Sequence, residues 1–158
     1  MRRPDDVPAV SAFLDRHHSM RVARLDKLER PLDHPAILAP NRGVLAGVLT
    51  YIVDGATMEI LTLHTQEQWM GCGTSLLRAA ERTAADAHCQ RLFLITTNDN
   101  VDALRFYQRR GFRLARLRPG AVDESRRTLK PEIPTTGDHG IPLRDELELE
   151  MQLTDASS

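Results

Sequence analysis

Several things are scarce in this sequence, and each scarcity narrows what the chain can be. Cysteine occurs twice in 158 residues, as Cys72 and Cys89, too few for a disulfide framework. No run approaches the ~20 apolar residues of a membrane span, and the first residues, Met1-Arg2-Arg3-Pro4-Asp5-Asp6, lack the apolar stretch of a secretory signal. A reducing, cytoplasmic setting away from the membrane is expected. Aromatic residues are only 4% of the chain, few for a base-stacking surface, and a net charge of −1 gives no basic field over the whole molecule. Nucleic acid is therefore not the expected partner. The six histidines and two cysteines show no zinc-ligand spacing, so no metal is expected.

The charge that is present is unevenly placed. Between Arg105 and Lys130 there are nine basic residues against two acidic ones; from Glu132 onward there are seven acidic residues and one basic. The two segments either screen each other, or part of the basic run meets a phosphate-bearing ligand. Apolar residues make up 41%, enough for one core, and the length suits a single domain over 1–154 with a frayed tail at 155–158.

Periodicity supplies the elements. Val7, Val10, Phe13 and Leu14 recur at helical spacing, and a second helical piece is expected over 21–30. Ala36–Ala39, Val44–Val53 and Met58–His64 read as strands joined by turns at Asn41-Arg42-Gly43 and Asp54-Gly55. An alanine-rich helix is expected over Gly71–Ala87, a buried strand over Arg91–Thr96, and a helix over Val101–Arg110 ended by Gly111. Phe112–Leu117 is a strand, Pro119–Pro142 is read as one long loop, and Leu147, Leu149, Met151 and Leu153 alternate with polar residues in a last strand. This order predicts an α/β (α+β) fold, a twisted sheet with helices packed on it.

The most informative stretch is Gln68-Trp69-Met70-Gly71-Cys72-Gly73-Thr74, where a strand runs through a short loop into a glycine-rich helix start. N–H groups at such a start form an anion site, and glycine lets a pyrophosphate approach the backbone. No Lys-Ser/Thr follows, so this is not a Walker loop, and the spacing is not that of the dinucleotide fingerprint. The segment resembles the Gln/Arg-x-x-Gly-x-Gly/Ala signature of the GNAT N-acetyltransferases. Thirty residues on, Asn100-Val101-Asp102-Ala103-Leu104-Arg105-Phe106-Tyr107-Gln108-Arg109-Arg110-Gly111-Phe112 resembles the same family's Asn-x-x-Ala-x-x-Phe-Tyr-x-x-x-Gly-Phe. The likeness is strong from Val44 to Leu117; beyond that only the element order matches. Thr96-Thr97-Asn98-Asp99-Asn100 and Gly140-Ile141-Pro142-Leu143-Arg144-Asp145-Glu146 look like marks of a subgroup.

The resemblance implies a GNAT-like, mixed but mostly antiparallel sheet and an acetyl-CoA-dependent acyltransferase that acts on a primary amine by direct transfer in a ternary complex. It implies that backbone N–H groups from Trp69 through Met70, Gly71, Cys72 and Gly73 to Thr74, after Gln68, hold the pyrophosphate. Leu61 and Leu63 would pair with the pantetheine arm as an added strand. Asn100 and Ala103 would line the arm's other side, and Tyr107 would protonate the leaving thiolate. Tyr107 could instead be a core aromatic. Cys72 has no identifiable base partner and is not expected to be a nucleophile. Glu59 is the candidate base for the incoming amine, where a semi-buried carboxyl would have a raised pKa; an exposed strand glutamate is the alternative, and His64 is the runner-up base. Strict alternation would put Glu59, Leu61 and Leu63 on one face. The long loop is expected to shape the acceptor site, with Arg126 and Arg127 pairing with an acceptor carboxylate. The acceptor could be a small-molecule or protein amine, and a homodimer is compatible with all of this. Two rival readings are an acyl-CoA sensor without turnover and an acetyltransferase acting on protein or tRNA.

Overall fold

The computed structural model describes residues 4–66 and 71–153. In chain order the elements are α1 (Val7–Arg16), the short strands β1 (Val22–Arg24) and β2 (Lys27–Glu29), then β3 (Ala36–Asn41), β4 (Val44–Asp54), β5 (Thr57–Thr65) and α2 (Cys72–Asp86). They continue with β6 (Arg91–Thr97), α3 (Val101–Arg109), β7 (Arg113–Arg118), α4 (Ala121–Thr128) and β8 (Glu146–Gln152). The described residues divide into two compact units, one of 4–22, 30–66, 71–92 and 152–153 and the other of 23–29 and 93–151. The first holds β3, β4, β5 and the start of β6; the second holds the rest of β6 with β8 and β7. The order in the six-stranded, mostly antiparallel sheet is β3-β4-β5-β6-β8-β7.

In the first unit, Val10, Phe13 and Leu14 form the buried stripe of α1 and pack with Ala36 and Val48, so the helical spacing in the sequence becomes one wall of the core. Strand β4 pairs with β5 so that Val48 faces His64, Thr50 faces Thr62 and Ile52 faces Glu59. The pleat puts these pairs on the side of α1. The alternate pairs, Leu49 with Leu63, Tyr51 with Ile60 and Val53 with Met58, lie on the side of α2. Gly47 marks how close that helix comes: a Cβ there would stand 2.8 Å from Leu76 Cδ1. The register advances by two residues on β5 between Ile60 and Thr62 but by one on β4, so Leu61 is the extra residue of a β-bulge.

Two expectations are corrected. The stretch 21–30 is a hairpin, not a helix. Leu25 and Asp26 both have positive φ, 51° and 60°, which turns the chain in the tight form that a two-residue hairpin needs. The Leu25 N–H donates to Glu146 Oε1 at 3.3 Å, a long-range contact that local propensity cannot anticipate. The stretch 119–142 is not one loop either, since it contains α4. Gly120, at φ 73°, is the N-cap, acidic Asp123 and Glu124 lie in the first turn and basic Arg126 and Arg127 in the last, the placement the helix dipole favours. Only Val122 and Ser125 of this helix are buried, too few for an apolar period to show in the sequence.

Candidate functional site

The strand-to-helix passage in the first unit is where the anion site was expected. Gly71 is the N-cap of α2, at φ 95°, a backbone conformation that costs a residue with a side chain ~1–2 kcal/mol. Ser75 N–H donates to Gly71 O at 2.8 Å, which closes the first helical turn. Cys72, Gly73 and Thr74 are the first three residues of the helix, so their N–H groups come before its i→i−4 ladder begins. Gln68, Trp69 and Met70 lie outside the described residues. Cys72 is half-buried and burial pushes its thiol pKa up, so it is poorly suited to nucleophilic work.

Upstream, the bulge changes the expected facing of β5. Glu59 shares its face with Thr62 and His64, while Leu63 turns to the other face; alternation across Leu61 fails because the bulge adds one residue to the count. Leu61, 8% exposed, is opposed by no residue of β4, and such a residue is left out of the regular ladder. Glu59 is only 5% exposed, a buried carboxyl rather than a solvated strand residue.

His64 is held in a small cluster. Its Nε2 lies 2.6 Å from Ser19 Oγ, and its ring stacks on His17 with centroids 4.8 Å apart. The end of α1 builds this contact: His18 takes φ 56° and Ser19 N–H returns to Leu14 O at 2.8 Å, so Ser19 is turned inward. Burial, and then the charge of the His17 neighbour, lower the His64 pKa to about 4. An imidazole neutral down to that pH binds a proton weakly, which makes it a poor base for an ammonium and a good partner for a buried hydroxyl.

A stability effect follows. His64 titrates near 4 when folded and at 6.5 when unfolded, so the unfolded chain binds the extra proton first, and stability falls as pH drops from about 6.5 toward 4. His64→Gln keeps a hydrogen-bonding side chain beside Ser19 but cannot titrate. The difference between wild-type and variant unfolding free energies should therefore change by about 2–3 kcal/mol across that window. Urea melts at a series of pH values measure it; a constant difference would show that His64 is not held neutral.

The second unit carries the other expected residues. Asn100 is the N-cap of α3: its Oδ1 accepts from Ala103 N–H and its Nδ2 donates to Thr96 Oγ1, both at 3.2 Å. This cap places the Asn and Ala of the second motif in one turn. Tyr107 is the buried residue of α3, 6% exposed, with its ring edge-on to Phe106 and Phe112 at 5.0 and 5.3 Å. Burial pushes its pKa well above the usual phenol value, so the hydroxyl keeps its proton throughout the neutral range.

Arg126 and Arg127 have different surroundings. Arg126 donates from Nε to Ile133 O at 2.9 Å, from Nη2 to Pro134 O and Leu143 O at 2.8 and 2.9 Å, and from Nη1 to Asp123 at 2.8 Å. Its fork is engaged with carbonyls of the following segment, which makes it a clamp on that segment and leaves little for an acceptor carboxylate. Arg127 is exposed and pairs with Glu124 on its own helix. Asn98 and Asp99 are further holders of this segment, through hydrogen bonds that span about forty residues of sequence. A cavity of about 440 Å³ opens between β3 and α2, lined by Ile37, Ala39, Cys72, Ser75 and Leu76, on the opposite sheet face from Glu59. Among the described residues no group of three or more His, Cys, Asp or Glu could hold a metal, and no helix is long and apolar enough to cross a membrane.

A bulged strand leading into a helix whose N-cap is a left-handed glycine, together with an Asn-capped helix bearing a buried tyrosine, fits the acyltransferases suggested by the two motifs. The profile of the Acetyltransferase (GNAT) family matches residues 6–112, and the chain belongs to that family. It is 50% identical over 105 residues to the uncharacterized protein YdhI of Bacillus subtilis (strain 168), a match that covers 66% of this chain and spans 65% of that protein. Its fold is similar to that of the IAA acetyltransferase from Bacillus cereus ATCC 14579, with a TM-score of 0.68 at 24% identity over 96% of this chain and 93% of the other. It is also similar in fold to a GNAT family acetyltransferase from Elizabethkingia anophelis with acetyl-CoA bound, with a TM-score of 0.65 at 22% identity, covering 97% and 92% of the two chains.

Proposed function

We propose that this protein binds acetyl-CoA and transfers the acetyl group to a primary amine, of a small molecule or a protein, within a ternary complex. The observation that carries the reading is the passage from the Leu61 bulge to the Gly71 N-cap. It sets an interrupted strand and a helix N-terminus in sequence along one stretch of chain. The pyrophosphate would lie on the N–H groups of Trp69 to Thr74, with Gln68 ahead of them. The pantetheine arm would run along Leu61 and Leu63 and past Asn100 and Ala103. Acetyl-CoA is consumed as a co-substrate, and no step calls for a metal.

The chemistry then needs three groups. Glu59 takes the proton from the ammonium, leaving a lone pair on nitrogen. That nitrogen attacks the thioester carbonyl, and the oxyanion is met by a backbone N–H at the bulge. The intermediate collapses, the C–S bond breaks, Tyr107 donates a proton to the departing sulfur, and the second proton that the nitrogen sheds restores the Tyr107 phenol. The products are the acetylated amine and free coenzyme A.

The test is thiol release from acetyl-CoA in the presence of spermidine, L-lysine, kanamycin or a peptide with a free N-terminus. Release that requires one of these amines supports transfer. Tight acetyl-CoA binding with no amine-dependent release would instead make the chain an acyl-CoA sensor. Glu59→Gln should depress the rate most near neutral pH and progressively less toward pH 10, where an amine of pKa ~10.4 loses its proton unaided. A defect of equal size at all pH values would mark Glu59 as structural.

A further inference from the structure

The segment from residue 129 to 145 has little regular structure of its own, only a short 3₁₀ turn at Asp138–Gly140 and an isolated bridge between Thr136 and Pro142. Such a stretch orders only if something offsets the lost backbone freedom, ~1–2 kcal/mol per residue. Three side chains supply the anchoring. Arg126 takes the carbonyls of Ile133, Pro134 and Leu143, as described above. Asn98 donates from Nδ2 to Pro142 O at 2.8 Å, and its Oδ1 accepts from the N–H groups of Arg144 and Asp145, both at 3.0 Å. Asp99 is the deepest of the three, 6% exposed. One carboxylate oxygen accepts from Thr97 Oγ1 at 2.5 Å and the other from Asp138 N–H at 2.9 Å.

The segment is shaped to receive that carboxylate. A Cβ at Gly137 would collide with Asp99 Oδ2 and stand 2.5 Å from its Cγ, so only glycine lets the turn come this close. Asp99 directly precedes Asn100, the cap of α3, and His139 Nε2 lies 3.7 Å from Asp102 Oδ2 in the first turn of the same helix. The turn at 137–139 is thus fastened to the N-terminal end of the helix that carries Asn100, Ala103 and Tyr107.

The structure assigns Asp99 the part of a positioning residue: its buried carboxylate, with Asn98 beside it, fixes residues 137–145 as a wall that is complete before any ligand binds. This wall does not close over substrate. Its assignment to the acceptor side rests on the acetyl-transfer reading; its preformed state does not. An acceptor would then be selected by fit to a fixed surface, with no ordering of this segment on binding. Two acceptor oxygens suit the two donors, a hydroxyl and an amide. Asparagine could keep the bond to Asp138 N–H while its amide group donates to Thr97 Oγ1, so charge is dispensable here and shape is not.

Hydrogen–deuterium exchange of the whole chain, with and without acetyl-CoA, tests this. In the free protein the amides of Gly137, Asp138, Leu143, Arg144 and Asp145 should be protected, and acetyl-CoA should leave them within about twofold of that level. Asp99→Ala should speed exchange at Asp138 and its neighbours about tenfold or more, with Asp99→Asn close to wild type. Gly137→Ala presses on the same carboxylate from the loop side and should have the effect of Asp99→Ala. The double variant Asp99→Ala, Gly137→Ala should be no faster than the worse single one. Protection that appears only with acetyl-CoA would make the segment a lid and overturn the proposal. So would wild-type exchange in Asp99→Ala, or an Asn variant as impaired as the Ala one. A wild-type chain that fails to bind acetyl-CoA would sink the transfer reading, and the free-protein exchange would still decide about the wall.

Discussion

Tyr107→Phe should lower acetyl transfer by ~10²-fold or more while leaving acetyl-CoA affinity nearly unchanged. The substitution keeps the ring that packs edge-on to Phe106 and Phe112 and removes only the hydroxyl. A hundredfold loss corresponds to about 2.7 kcal/mol of transition-state stabilisation, a reasonable value for one well-placed proton donor. Because burial keeps this phenol protonated through the neutral range, the wild-type rate should show no falling limb from its ionisation below pH 9. Stopped-time assays of thiol release, paired with calorimetric titration of acetyl-CoA, separate rate from affinity. Turnover close to wild type would take Tyr107 out of the chemistry and leave it a core aromatic.

Gly73→Asp should abolish measurable acetyl-CoA binding while the chain stays folded. Position 73 is in the first turn of α2, where an aspartate suits the helix dipole, so the helix itself should tolerate the change. The same carboxylate would stand where a pyrophosphate must sit. Two unit charges of like sign 4 Å apart repel by ~4 kcal/mol at an effective dielectric of 20, and the pyrophosphate carries more than one charge. A loss of ~10²-fold or more in affinity is expected, with the thermal midpoint moving by no more than a few degrees. Unchanged affinity would remove the phosphate from this helix end and with it the proposed placement of the coenzyme.

Where a signal is local, the chain announced its structure. The 3-4 spacing of Val10, Phe13 and Leu14, the Asn41-Arg42-Gly43 turn and the Gly71 helix start all depend on neighbours a few residues away, and each appears where periodicity put it. The hairpin at 21–30 is not legible in the sequence because its turn residues, Leu25 and Asp26, are not the usual glycine or asparagine, and a contact with Glu146 helps hold it. Helix α4 is equally hidden, because a short helix that buries only Val122 and Ser125 leaves no apolar period. Arg126 looked like a ligand for a carboxylate, since charge suggests opposite charge. Its actual partners include three carbonyl oxygens, which no sequence pattern marks. Nothing local marks Gly137, and only the position of Asp99, thirty-eight residues earlier, explains why nothing larger fits.

The extra residue at Leu61 has a consequence for how this strand can vary. The halves of β5 on either side of it are out of phase, so Glu59 faces with Thr62 and His64 and not with Leu63. Deleting Leu61 would remove the bulge and keep Glu59 on the face of Thr62 and His64, whereas a strand that ran straight with every residue retained would return Glu59 and Leu63 to a common face and turn either the carboxylate or the coenzyme-side half around. An ungapped residue-for-residue correspondence with a relative lacking the bulge therefore holds on one side of Leu61 at a time. In such an ungapped comparison, a carboxylate in a relative's column for Glu59 stands in the same relation to Leu63 only if that strand has kept its bulge; where the relative lacks one residue at Leu61, a gap there restores both halves.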